Sequence, residues 1–293
     1  MLPLSLHRLT EKNMKFKSYA VPKQLIDVVD YIYLNEHDNK NDYNLALPNP
    51  RMCLVFTYNL DGTLFEQNMA TNIKVKSHEI AIGGFISQSM KYITTKKFSA
   101  IIVGLKPWAK FVLKDLNGDF YLNENIDMNT VYSKYMGSLK NQLNDDGSDD
   151  QKIALIISFL KKIFTQRTVN SRVKQAVGII ASTQGKIKIE ALSKEVAYSK
   201  RQLNRLFKIQ VGVSPKEMAK MYSVQHSISI MKKETLPMVD VAYDAGFFDQ
   251  THFIKTFKSL CGITPDTFKK IKPTELSGLA FKNVNVNSTS LYM

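Results

Sequence analysis

The 293-residue sequence predicts an α+β chain in two parts. The first is a β-rich barrel or sandwich with flanking helices. The second is an all-α domain of two helix-turn-helix units joined by a linker helix. Three observations carry this. Short runs rich in Ile, Val, Tyr, Thr and Phe recur between residues 52 and 105. One pattern occurs twice, 50 residues apart, between Ile189 and Phe268. Most of the net charge of +14 falls on that repeated region: residues 166–272 hold 19 Lys and Arg against 8 Asp and Glu, whereas residues 1–165 hold 20 against 17.

From the N-terminus, residues 1–20 read as a poorly anchored extension, and residues 21–165 as the β-rich unit. Leu25-Ile26, Val28-Val29 and Ile32-Tyr33 suggest a short helix after Pro22, and 35–44 a polar loop. Met52 to Tyr58 reads as a buried strand, ended by Asn59-Leu60-Asp61-Gly62, a hairpin signal. Further strands are expected at 63–69, 72–76, 78–84, 89–95 and 98–105. Pro107 opens a helix over 107–116, and helices follow at 129–143 and 150–165. The acidic turn 144–150 lies between the last two, with Asp150 able to cap the second. Its stripe of Ile153, Ile156, Ile157, Leu160, Ile163 and Phe164 suits packing on the β-unit or self-association. Residues 166–170 read as a linker, and 273–293 as a loosely ordered tail.

The repeat is the most informative part. Leu203/Phe253, Phe207/Phe257, Lys208/Lys258, Gly212/Gly262, Ser214/Thr264 and Pro215/Pro265 are each 50 residues apart, one supersecondary unit used twice. Short apolar segments precede each copy, at 189–197 and 239–247. A short helix, a tight turn and a second helix capped by Ser199 or Asp249 is the helix-turn-helix layout. Gly246 suits the second turn because glycine takes positive φ without strain. The first copy has Ala197 there, and the second has one extra residue before its helix.

Opposite the buried Leu203, Leu206 and Phe207, the first of these helices carries Lys200, Arg201, Asn204, Arg205 and Lys208. The second carries Gln250, Thr251, Ile254, Lys255 and Lys258 opposite Phe253, Phe257 and Leu260. Arg pairs bidentately with guanine, Asn and Gln with adenine, and Thr or Ile meets a thymine methyl. With Ser199, these form the predicted DNA-binding set. From Ser214 to about Glu234, apolar residues at helical spacing predict a rod of about 30 Å. Successive major grooves on one face of a duplex lie about 34 Å apart.

These residues resemble the DNA-binding domain of the AraC/XylS family of bacterial transcription regulators. The resemblance is carried by Asp240-Val241-Ala242, Gly246-Phe247, Asp249-Gln250, Phe253, Phe257-Lys258, Gly262 to Pro265 and Phe268. The first copy adds Ser199, Leu203, Arg205, Phe207, Gly212 and Ser214-Pro215. Ser193 and Ala197 depart from the family's usual Ala and Gly, and Lys269-Lys270 from its Arg. The resemblance implies seven helices with both recognition helices in the major groove. It further implies a regulator, activator rather than repressor, that meets RNA polymerase. More weakly, 47–56 and 103–111 resemble the sensor domains that precede such units, which implies a small-molecule effector, a homodimer, or both.

The remaining classes are excluded by the pattern. No apolar run reaches 18 residues, so no membrane partner is expected and the chain reads as cytoplasmic. Cys53 and Cys261, in different parts, leave no disulfide framework. Cys261 is expected in a core, and a redox-sensor role for either is the minority reading. His7, His37, His78, His226 and His252 are scattered without metal spacing, so neither metal, cofactor nor catalytic residue is assigned. Two rivals stay open: a constitutive DNA-binding protein whose first half only dimerises, and an enzyme fused to a DNA-binding unit.

Overall fold

The computed structural model describes residues 5–271, apart from 12–13, 38–42, 62, 70, 73, 95–96, 115, 117–122, 124 and 234–235. The expected tail at 273–293 and the Gly62 turn position lie outside the described residues. The strands in chain order are β1 (Ser5–Glu11), β2 (Met14–Tyr19), β3 (Val29–His37), β4 (Tyr43–Ala46), β5 (Cys53–Tyr58), β6 (Leu64–Asn68), β7 (Lys74–Lys76), β8 (Ile80–Gly83), β9 (Met90–Thr94), β10 (Phe98–Leu105) and β11 (Asn125–Asp127).

They form two sheets rather than a closed barrel. One is seven-stranded, in the order β1-β2-β3-β10-β5-β8-β11; the other is four-stranded, β4-β9-β6-β7. All pairs are antiparallel. The Asn59–Gly62 signal does not make a hairpin. β5 already has β10 on one side and β8 on the other, so the chain leaves the sheet and β6 pairs with β7 and β9. Asn59 still adopts a left-handed φ of 50°.

The N-terminal segment differs most from expectation. β1 and β2 pair antiparallel and extend the large sheet through β3, rather than forming a loose extension. The helix expected after Pro22 is a single 3-10 turn at Lys23–Leu25, and the Ile32-Tyr33 pair lies in β3. Residues 31–35 are all buried, so both faces of β3 are covered and the alternation that marks a half-exposed strand is absent.

Among the described residues three α-helices complete this half: α1 (Ala109–Val112), α2 (Met128–Asn144) and α3 (Asp149–Ile163). The first is shorter than the expected 107–116. Trp108 sits at its start, with its indole N–H donating to the Asp27 carbonyl at 2.8 Å. Ser148, not Asp150, caps α3, through a capping box with Gln151. Ile153, Ile156, Leu160 and Ile163 of α3 are buried with Leu54 and Phe56 of β5 and Ile101 and Val103 of β10. The stripe therefore packs on the sheet. Phe159 stands edge-on to Phe56 and Tyr132, with centroids 6.0 and 5.9 Å apart.

Seven helices follow among the described residues: α4 (Ser171–Ser182), α5 (Ile189–Glu195), α6 (Lys200–Gln210), α7 (Pro215–Lys233), α8 (Met238–Asp244), α9 (Gln250–Cys261) and α10 (Pro265–Lys269). They are divided between two cores. The α4–α6 unit shares one core with α1–α3 and the large sheet, through Val177, Leu192, Leu203 and Phe207. The α8–α10 unit builds a second core from Val241, Phe253, Phe257 and Phe268, joined by Val224 and Ile228 of α7 and by Leu45 and Leu47 from the β-rich half. Phe207 and Phe257, the repeat-related pair, are both fully buried. Each contributes roughly 1.5–3 kcal/mol of apolar burial.

Candidate nucleic-acid interface

α5 and α6 form one helix-turn-helix and α8 and α9 the other. Both turns close in the same way. The amide of Tyr198 reaches back to the Ser193 carbonyl and that of Ala197 to Lys194; the Phe247 amide reaches Ala242 and that of Gly246 reaches Tyr243. This is the pattern of a helix ended by a left-handed residue. Gly246 holds φ 82° and Ala197 holds φ 49°. Alanine thus adopts the conformation that a Cβ disfavours, and the first turn keeps the geometry its sequence made doubtful.

The second helix of each unit then starts on a side-chain cap. The Ser199 hydroxyl accepts from the Gln202 amide at 3.2 Å, and the Asp249 carboxylate from the His252 amide at 2.6 Å. Ser199 is exposed, but its acceptor is engaged in capping. On α6, Lys200, Arg201, Asn204, Arg205 and Lys208 are exposed, while Leu203, Phe207 and Gln210 are buried. Arg201, Asn204 and Arg205 have no hydrogen-bond or ion-pair partner among the described residues. Lys200 is paired with Glu190, and its hydrogen bond holds that carboxyl below the usual range.

On α9, Gln250, Thr251, Lys255 and Lys258 are exposed. Ile254 is only half-exposed and packs against the second core, so it stands at the margin of this face. Cys261 is buried, and Leu206 and Leu260 are half-buried. Between the units, α7 starts on a reciprocal Ser214–Glu217 capping box. Its 19 residues span about 28 Å.

Two contributors escaped the motif. Arg172 of α4 donates to the Ala197 carbonyl at 3.0 Å and lies 5.0 Å over the Tyr198 ring, bracing the left-handed turn. Asn170 caps α4 and donates to the Tyr198 hydroxyl at 3.0 Å. Neither belongs to the repeat, so spacing gives no signal for them.

The β-rich half holds a second feature. Asn125 of β11 bridges the sheets, donating to the Glu66 carboxylate of β6 and lying 3.3 Å from the Tyr92 hydroxyl of β9. Burial raises the Glu66 carboxyl above its ordinary pKa. A cavity of about 400 Å³ lies nearby, lined by Leu64, His78, Ile80, Asp127 and Lys140 among others. His78, 43% exposed, lies 3.7 Å from the Asp127 carboxylate in this lining. No described helix is long and apolar enough to cross a membrane.

A paired helix-turn-helix joined by a single rod, each second helix with one buried and one polar face, defines a DNA-binding domain. Residues 192–271 match the family described as "Helix-turn-helix domain", and this C-terminal region is a helix-turn-helix domain of the AraC type. The chain is 36% identical over 72 residues to the HTH-type transcriptional regulator MtrA of Neisseria gonorrhoeae, covering 25% of this chain and 24% of that protein. It is 22% identical over 163 residues to the arabinose operon regulatory protein of Escherichia coli, covering 52% and 55%. The chain thus spans about a quarter to a half of the length of these relatives. A structure of ToxT from Vibrio cholerae aligns over 84% of this chain and 98% of its own, at 14% identity and a TM-score of 0.46.

Proposed function

We propose that the protein is a sequence-specific transcription regulator, an activator rather than a repressor, that reads two successive major grooves. The observation that carries this reading is the pair of repeat-related helices whose polar faces are exposed while their apolar faces fill two cores. Arg201, Asn204 and Arg205 read bases from α6, and Gln250, Thr251 and Lys255 from α9. Lys208 and Lys258 neutralise phosphates, as does Lys200 when it exchanges its exposed pairing with Glu190 for the duplex. The activator role and contact with RNA polymerase rest on the likeness to transcription regulators, and the cytoplasm is the compartment that this work requires.

The β-rich half supplies control, as an effector-binding domain, a dimerisation domain, or both. Two features support an effector. The half-buried Glu66–Asn125–Tyr92 network bridges the sheets with polar groups, beside the cavity lined by His78 and Asp127. The same half packs on both helix-turn-helix units, so ordering it changes how they are held. Dimerisation through the apolar stripe of α3 is not part of this reading, because Ile153, Ile156, Leu160 and Ile163 are buried within the chain and Ile157 and Phe164 are partly buried against the same core.

The test is selection of genomic DNA fragments by the full chain at physiological salt, followed by sequencing. The reading requires an enriched motif of two elements about ten base pairs apart. Binding that is salt-sensitive but has no enriched motif would reduce the repeat to a non-specific clamp.

A further inference from the structure

The two helix-turn-helix units differ by one residue, and the structure shows which. The left-handed residues Ala197 and Gly246 are 49 positions apart, as are Tyr198 and Phe247, whose amides close the two turns. The caps Ser199 and Asp249 are 50 apart. The residue inserted in the second unit is therefore Phe248. It is 85% exposed, the most exposed of the large apolar side chains among the described residues.

A structural role for this ring is already filled. An apolar residue just before a helix cap ordinarily packs on the fourth residue of the helix, here Phe253. Phe253 is fully buried, and the ring packed on it, tilted with centroids 5.2 Å apart, is Phe247, which also meets His252 edge-on at 5.5 Å. Phe248 is left outside this cluster. Single exposed apolar residues are common and by themselves signify nothing. This one has a particular place: it immediately precedes the cap of α9, next to the exposed Gln250 and Thr251, on a region whose charge is strongly positive.

We propose that Phe248 is a specificity-determining residue of the DNA interface, laying its ring against a thymine methyl or the sugar edge beside the base pair read by Gln250 and Thr251. The inference rests on the DNA-binding reading above. The occupant is duplex DNA because the exposed ring immediately precedes the N-terminal end of α9, the end that recognition helices direct at base edges. Apolar contact with the thymine methyl is an ordinary mode of major-groove readout. The insertion gives the second unit an exposed ring that the first lacks, since there Tyr198, the counterpart of Phe247, is followed directly by the cap Ser199.

The experiment uses full-length wild type, Phe248→Ala and Phe248→Lys with the DNA site that wild type selects, and with the same site altered one base pair at a time. Binding is measured over a range of salt. For Phe248→Ala the expected result is about tenfold weaker binding to the selected site, on the scale of one mismatched base pair. Discrimination should relax at one or two adjacent positions, and the dependence of binding on salt should be unchanged, since an apolar contact releases no counterion. Phe248→Lys should steepen the slope of log K against log salt by about 0.9 if the position faces the duplex. Unchanged affinity and base preference in Phe248→Ala would overturn the proposal, as would an unchanged salt slope in Phe248→Lys. A change in self-association without DNA, with binding intact, would assign the ring to a protein contact and overturn it too. If wild type selects no site, the DNA reading fails and this inference fails with it.

Discussion

The backbone amide of Ser89 donates a 2.8 Å hydrogen bond to the carbonyl of Leu260. Leu260 lies in the last turn of α9, where carbonyls have no partner within the helix. A loop of the β-rich half thus completes the end of a recognition helix. The contact is not isolated: the Gln225 side chain of α7 donates to the Pro48 carbonyl at 2.9 Å, and Gly262, which ends α9, lies against Met69. Its repeat-related counterpart Gly212, which follows α6, lies against Phe85 and Lys110. Both recognition helices are therefore gripped at their C-terminal ends by the β-rich half.

Gly262→Ala is expected to loosen that grip. The residue holds φ 72°, and an added Cβ would lie 2.6 Å from the Met69 backbone, too close for any side chain. A left-handed alanine alone costs about 1–2 kcal/mol, and the contact with Met69 must also open. A fall in thermal midpoint, together with altered DNA affinity, is the expected outcome. An unchanged midpoint would mean that the contact is not formed in solution.

Arg205→Ala should cost about 1–3 kcal/mol at the selected site and relax the choice of base there, because a bidentate arginine both binds and discriminates. Competition binding against single-base variants measures this. A uniform loss over all sequences, with a shallower salt dependence, would make Arg205 a phosphate contact instead.

The fold was unevenly legible in the sequence, for physical reasons. The repeat stood out because each recognition helix separates a buried from an exposed face, so Leu203, Phe207, Phe253 and Phe257 recur at fixed spacing. β5 to β10 were readable as β-branched and aromatic runs. β3 was not, because its burial on both faces erases the alternation, and apolar pairs such as Val28-Val29 then suggest a helix. β1 and β2 carry Lys, Ser and Thr at positions that look unanchored until β3 is there to pair with them. Ser89, Pro48 and Met69 bear no pattern at all, since a backbone group or a loop contact can be supplied by almost any residue. The exposed set on α6 and α9 followed from helical geometry; the half-burial of Ile254 did not, because it depends on the second core.

Both thiols should resist alkylation in the native protein. Burial pushes the Cys53 thiol up to about 12 and that of Cys261 higher still, so the reactive thiolate is scarce at neutral pH. Iodoacetamide at pH 8 is expected to label both rapidly in urea and neither appreciably without it. Rapid native labelling of Cys53 would revive a redox role for it.

Asp30 anchors a buried ion cluster whose loss should be severe. Its carboxylate, 1% exposed, lies 2.8 Å from the Arg51 Nε and 2.8 Å from the Lys106 Nζ. Asp30→Asn leaves two cations facing a neutral amide, with Arg51 almost fully buried. Breaking one side of such a cluster costs about 3–5 kcal/mol. Urea unfolding should show the midpoint falling with little change in slope; a shift under 1 kcal/mol would mean that water or other groups take over the carboxylate's part.

Ala197→Gly is expected to act in the opposite direction. In the second unit the same turn is made by Gly246 at φ 82°, without strain; in the first, Ala197 is held at φ 49°. The strain is resisted by the Arg172 guanidinium on the Ala197 carbonyl and by Asn170 on Tyr198, contacts that hold the turn in place of an intrinsic preference. Glycine removes about 1–2 kcal/mol of left-handed strain. It returns about 0.5–1 kcal/mol through the greater freedom of the unfolded chain. The balance is a gain of roughly 0.5–1 kcal/mol, read as a higher thermal midpoint. The same argument predicts that Arg172→Ala destabilises the wild-type turn more than the Ala197→Gly variant. A double-mutant cycle tests this directly: additive effects would show that Arg172 braces something other than this turn.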